Sequence, residues 1–332
     1  MSSNSEDLAD PLAAEFGHVE PEAFPLPADP DPAPHWLWKA AVAFVVLLAL
    51  YYGIGAWRAH GIGDDPGFTG GADDGQSRSV AVTSALLFRE VEHWTPNKPF
   101  FYPAAVLRAT PGFQRGLSAA LSVYVSALSD LAEQDKPDNA PDPVPDLSRA
   151  AELLSNPPDV WMFDPMHPFT KTYSTEKQYR NAARSLLVFN QHIAAGSASF
   201  PRSPAALKAL LEAISEDLDH STGDLEALIA DDSFWPCRKC GEVYYQNKGR
   251  AYADYLLIRD LGEDFGALLS GRDLGNQWAA VLDSLRAAAS PRPLIVANGR
   301  PDALLTPNHL AMQGFLLLRA HSQLDQIAES LR

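Results

Sequence analysis

Apolar positions form one unbroken run and then a series of stripes at helical spacing. From Ala40 to Trp57 no residue is charged (AAVAFVVLLALYYGIGAW). Eighteen residues at about 1.5 Å each reach about 27 Å, close to the hydrocarbon thickness of a bilayer. Trp36 and Trp38 stand at one end of the run, and Tyr51, Tyr52 and Trp57 at the other. Such rings suit the two headgroup layers, and Lys39 and Arg58 can snorkel outward. The run is too long and begins too far into the chain for a cleaved signal peptide, so the pattern predicts one transmembrane helix.

After the Gly/Asp-rich stretch GIGDDPGFTGGADDGQSR the period changes to 3.6. Val82, Leu86 and Val91 with Phe88 predict a helix over 79–94. Thr110-Pro111 reads as an N-cap with proline at the first helical position, opening a helix to about Gln134. Asp146 caps a short helix over 147–154. Thr175 with Gln178 has capping-box spacing, with Ser174 a rival cap, and the helix behind it ends at Gly196. Ser203-Pro204 opens a helix over 204–218. Further helices are expected over 243–261, stopped by Gly262, over 276–289, and from Thr306-Pro307 almost to the C-terminus. The single strand-like run, 294–297, cannot make a sheet alone. The expected fold is all-α: one N-terminal transmembrane helix, then a bundle of about eight helices.

Charge divides the chain further. Residues 1–38 hold eight acids, seven prolines and no Lys or Arg, which is half of the net charge of −16. Such a segment cannot bury enough apolar surface to order itself. The expected organisation is a disordered acidic tail over 1–35, a transmembrane helix over 36–58, a linker over 59–78 and a helical extramembrane domain over 79–332. The acidic balance excludes nucleic acid as partner, since phosphate binding needs a basic face. A long N-terminal apolar segment before a large domain reads as a signal anchor, which places residues 60–332 in the periplasm.

Chemistry is sparse. Cys237-Arg-Lys-Cys240 can close a small disulfide or supply two ligands to zinc, shared between chains since no second cysteine pair exists. Arg238 and Lys239 would lower the thiol pKa, which keeps a redox role open. In WMFDPMHP, Asp164 and His167 lie close in sequence to Glu176, Tyr179 and Arg180, where an Asp–His pair can orient a general base. The plainer reading is a proline-rich loop pinned by aromatic packing. Asp302 and His309 pose the same choice beside the turn formers Asn298-Gly299. Glu176 and Arg180 have the spacing of a surface ion pair on a helix. No G-x-S-x-G, H-E-x-x-H, Walker loop or G-x-G-x-x-G opening a helix is present, which lowers the expectation of an enzyme.

Short blocks after the anchor are also familiar. They are Asp64-Asp-Pro66, Arg89-Glu-Val91, Asn97-Lys-Pro-Phe-Phe-Tyr-Pro103, Pro111-Gly-Phe-Gln114, Ser174-Thr-Glu-Lys-Gln-Tyr-Arg180, Lys248-Gly-Arg-Ala-Tyr252 and Thr306-Pro-Asn-His-Leu310. In these the chain resembles the DUF2333 family of proteobacterial proteins. The resemblance implies a single-pass inner-membrane protein and brings no catalytic residues. The expected function is a membrane-anchored interaction or scaffold domain. Its partners are the bilayer, through residues 40–57, and another envelope protein. The alternative is an enzyme or small-ligand binder with a polar cleft around Asp164, His167 and Glu176 on one side and Asp302 and His309 on the other.

Overall fold

The computed structural model describes residues 35–59, 61–134, 144–161, 173–230, 239–293, 296–298 and 308–332. Residues 1–34, expected as the acidic tail, lie outside them. The chain divides into two compact units, Met1–Leu48 and Ala49–Arg332. Among the described residues there are ten α-helices and no strand.

In the first unit, helix α1 (His35–Ala59) begins. Phe44, Val45, Val46 and Leu47 are all exposed, and four consecutive helical positions cover every face. A helix apolar all round with no face buried in protein suits lipid. The stretch Trp36–Ala56 is long and apolar enough to cross a membrane.

The second unit holds α2 (Arg78–Glu92), α3 (Ala109–Gln134), α4 (Val144–Leu154), α5 (Thr175–Ala194), α6 (Pro204–Ala230), α7 (Cys240–Asp264), α8 (Gly266–Gly271), α9 (Gly275–Ala289) and α10 (His309–Ser330). Its centre is the crossing of α3 and α7. On α7 the consecutive residues Ala251, Tyr252, Ala253 and Asp254 are all buried, so every face of that helix is covered. Helices α2, α4 and α5 join this centre through the α2–α7 and α3–α4 contacts. Helices α6, α9 and α10 join it through α7–α9 and α3–α6. The crossing is close because three glycines meet backbone there. A Cβ on Gly112 would lie 2.7 Å from the Glu242 carbonyl oxygen. One on Gly116 would overlap the Gln246 carbonyl, and one on Gly249 the Phe113 carbonyl.

Helix ends follow local chemistry. Ser77 caps α2, its Oγ accepting from the Val80 amide at 3.2 Å. Asp264, at the end of α7, completes that cap. Its carboxylate accepts from the Arg78 and Ser79 amides at 2.8 and 3.0 Å and from the Ser77 and Ser79 hydroxyls at 2.8 and 2.6 Å. A carboxylate on the amides of a helix N-terminus meets both their unpaired donors and the helix dipole. Ser203 caps α6 through the Ala206 amide at 3.0 Å. Gly196, with φ of 73°, follows the end of α5 as expected. Other signals read differently. Helix α3 begins at Ala109, so Thr110 lies inside its first turn rather than at the cap. At α5, Ser174 is the cap position, while the Thr175 hydroxyl donates to Pro157 O at 3.0 Å. Helix α6 runs through Ser221-Thr222-Gly223, where the two hydroxyls bond back to Asp217 O and Asp219 O, each at 2.8 Å, within the helix. Gly262 lies inside α7 rather than ending it. A Cβ there would sit 2.6 Å from the Trp278 indole nitrogen, which donates to Ile258 O at 3.1 Å. Asn308 caps α10 through the Ala311 amide at 2.8 Å. The expected start at Thr306-Pro307 lies outside the described residues.

Residues 61–77 form no helix but are bound as a strap across α2 and α7. Tyr252 donates to Asp65 O at 2.8 Å, and Arg259 to Pro66 O and Phe68 O at 2.9 and 2.8 Å. The Arg89 guanidinium lies 4.6 Å from the Phe68 ring centre. Gly70 rests on the backbone of Ala81 and Val82, where a Cβ would not fit.

Candidate functional site

Of the residues that sequence chemistry singles out, Asp164, His167, Cys237 and Asp302 lie outside the described residues. Glu176 opens α5 and accepts from Lys98 Nζ at 2.6 Å and Asn97 Nδ2 at 2.7 Å. Burial raises its pKa, but these bonds outweigh burial and hold the carboxyl below its usual range. Its partners thus come from the α2–α3 connection, where the sequence spacing offered Arg180. Tyr179 is buried and donates to Asn156 O at 2.9 Å, with its ring edge-on to Trp94 at 5.2 Å. Burial pushes its phenol up to about 12, so it is a core residue that keeps its proton. Arg180 is half-buried on the same helix. His309 belongs to another region. Its Nδ1 accepts from the Ala297 amide at 3.2 Å, and its ring lies 6.3 Å from that of Tyr244. Glu176 and Tyr179 are thus tied to the α2–α3 and α4–α5 connections, and His309 to the approach to α10.

Cys240 is buried at the start of α7 and disulfide-bonded. In that form its sulfur offers no thiolate to a metal. Among the described residues no three His, Cys, Asp or Glu side chains gather as a metal site.

Two clefts flank the N-terminal end of α7. The larger, of about 500 Å³, has Lys98, Arg108, Arg115, Lys239 and Glu242 on its walls. Its cations are largely compensated. Arg115 pairs with Glu242 at 2.7 Å and Asp159 at 2.9 Å, and Lys98 with Glu176 at 2.6 Å. The smaller, of about 290 Å³, lies between α6 and α7 and includes Asp224, Lys239, Asn247 and Arg250.

Polar groups also lie deep in α7. Lys248 is wholly buried and pairs with Asp64 of the strap at 2.6 Å, while also donating to the Ala289 carbonyl. Arg292 closes on the same carboxylate from the surface. Burial pushes the Lys248 ammonium down to about 8. Asp254 is buried, and its Oδ2 has no hydrogen-bond partner among the described residues. Burial first, and then the charge of Asp217, raises its pKa well above the ordinary value, with Arg250 opposing. A carboxyl whose folded pKa is raised is fully compatible with the fold at low pH. It destabilises progressively as pH rises from about 4 toward the folded value, because only the unfolded chain then releases the proton. Asp254→Asn therefore stabilises the protein at pH 7 and leaves stability unchanged near pH 3. Each unit of displaced pKa contributes about 1.4 kcal/mol. Urea titrations of both proteins at the two pH values read this directly, and equal gains at both would contradict it.

Helix α10 bears a surface face of a different character. Met312 is 62% exposed and Phe315 60%, with Leu318 also exposed on α10. Phe315, Leu318, Arg319, Ser322, Gln323 and Gln326 line a shallow groove of about 450 Å³ there. The opposite face of α10 is core: Leu310, Leu317, Ala320, Leu324 and Ile327 are buried. The sequence carries the signal. Phe315-Leu-Leu-Leu318 is four apolar residues in a row, more than one helix face can bury. No family model, curated protein or solved structure matches the chain.

Proposed function

We propose that the protein is a single-pass membrane-anchored interaction protein whose helical domain binds another envelope protein through the exposed face of α10. The observation that carries this reading is the row Met312, Phe315 and Leu318, which holds large apolar side chains in solvent at helical spacing. Isolated exposed apolar residues are ordinary, but a row beside a groove marks a docking face. An apolar helix face of the partner fits it, reading the spaced anchors while Arg319 and Ser322 supply a polar rim. The reading places the anchor in a bacterial inner membrane and the domain in the periplasm, with the DUF2333 resemblance pointing the same way. The disulfide at Cys240 supports an oxidising compartment.

Photo-crosslinking in intact cells tests it. A benzophenone side chain at Phe315 is expected to yield one discrete crosslinked envelope protein, and Met312→Asp in the same chain to remove that product. Both positions are mostly exposed, so the substitutions leave the core intact. Absence of any product, or capture of a cytoplasmic protein, would overturn the reading or its placement respectively.

A further inference from the structure

The connection between α2 and α3 bears three successive aromatic residues that the domain does not cover. Phe100 is 83% exposed, and Phe101, Tyr102 and Val106 are exposed with it. The rings pack on one another, Phe100 on Phe101 at 5.6 Å and Phe101 on Tyr102 at 5.1 Å, with Trp161 5.9 Å from Phe101. Together they form a preassembled aromatic tip. Its backbone is tied to the last turns of α1. The Tyr51 hydroxyl donates to Phe101 O at 3.1 Å, and the Tyr52 hydroxyl to Phe100 O at 2.8 Å. Gly55 meets the Pro103 ring so closely that an added Cβ would overlap it.

These bonds fix the depth of the tip. The apolar run of α1 ends at Ala56, so Tyr51 and Tyr52 lie about 6–8 Å of helix rise inside that end. Tyrosines in the last turns of a spanning helix lie just under the headgroup boundary, with the ring in the apolar layer and the hydroxyl in need of a polar acceptor. A loop whose carbonyls accept from those hydroxyls enters the same layer. Backbone in such a place must have its acceptors satisfied, and the two tyrosines do this for Phe100 and Phe101. Lys98, paired with Glu176 at 2.6 Å, keeps the charged side of the loop on the protein.

We propose that Phe100, Phe101 and Tyr102 insert into the headgroup layer of the bilayer that α1 spans, as a second point of membrane attachment. The inference rests on α1 crossing that bilayer. It adds to the docking face on α10 a fixed footing for the domain that presents it.

Depth measurement by electron paramagnetic resonance tests this on the full chain. Phe100→Cys, Val46→Cys and Glu329→Cys proteins, with Cys240 kept in its disulfide, each receive a nitroxide. They are reconstituted at low protein density in vesicles of phosphatidylethanolamine and phosphatidylglycerol. Position 46 reports the anchor and exposed position 329 reports water. The labels at 46 and 100 are expected to collide more with oxygen than with a water-soluble nickel chelate, and the label at 329 the reverse. A lipid-like reading at 46 with a water-like reading at 100 would overturn the insertion while leaving the anchor in place. Water-like readings at both would overturn the anchor and the insertion together.

Discussion

Gly249→Ala melts at a lower temperature than the parent protein, by on the order of 5 °C, and Gly249→Val by more. Alanine alone favours a helix over glycine by about 1 kcal/mol, so the expected sign is opposite to intrinsic propensity. The reason is the α3–α7 crossing. A Cβ at 249 falls on the carbonyl of Phe113, and at 116 on the carbonyl of Gln246. Both obstacles are helix backbone, which cannot turn aside as a side chain can. The two central helices must move apart, and the contacts of Phe113, Leu117, Tyr252 and Leu256 loosen with them. Overpacking of this kind costs about 1–3 kcal/mol for one methyl-sized group and more for larger ones. Gly223→Ala supplies the control, since a Cβ at that exposed position of α6 meets nothing. It is expected to leave the melting temperature unchanged or raise it. Thermal unfolding followed by circular dichroism checks all three, and a neutral Gly249→Ala would show that the crossing is looser than described.

Breaking the ion pair between the strap and α7 is expected to have the largest effect of all. Lys248→Met leaves the nearly buried Asp64 side chain with the surface-reaching Arg292 as its one cation among the described residues. Asp64→Asn leaves a buried ammonium with the Ala289 carbonyl and a neutral amide. Removing one partner of a buried pair costs about 3–5 kcal/mol, because the remaining charge stays desolvated. Replacing both, with Asp64→Leu and Lys248→Met together, is expected to recover much of that loss, since no uncompensated charge then remains. The strap adds a second readout. With its anchor to α7 weakened, residues 61–77 should become cleavable by protease under conditions where the parent is resistant. A double variant whose loss equals the sum of the two single losses would show that the charges act independently.

Much of the helical framework was legible because caps and glycines act locally. Ser203-Pro204 and Gly196 needed nothing beyond their own neighbours. The misread boundaries involve contacts that a start or stop signal in the sequence does not show. Gly262 serves Trp278 of α9 rather than the end of α7, and Ser221-Thr222-Gly223 stays helical with both hydroxyls bonded to carbonyls inside α6. The strap was read as a linker because Gly and Asp dominate its composition. Its attachments are side chains of α2 and α7 far away in sequence, and Lys248, which stands among Gln246, Asn247 and Arg250, resembles a solvated position until its burial is known. The chemistry fared likewise. Glu176 found Lys98 and Asn97 across the fold, and Tyr179 joined the core. The exposed row on α10 was present in Phe315-Leu-Leu-Leu318 but reads as ordinary core until one sees which face is already occupied.

The central claim is that the membrane anchor presents α10 to a protein partner, and a residue-by-residue crosslinking scan of α10 in intact cells tests it most directly. The account predicts products from Met312, Phe315, Arg319 and Ser322, which recur at helical spacing on one exposed face, and none from the core-facing Gln313, Leu317 and Leu324. Crosslinking as strong from Glu329 and Ser330, which are exposed and polar, as from Phe315 would contradict it, as would a scan without products.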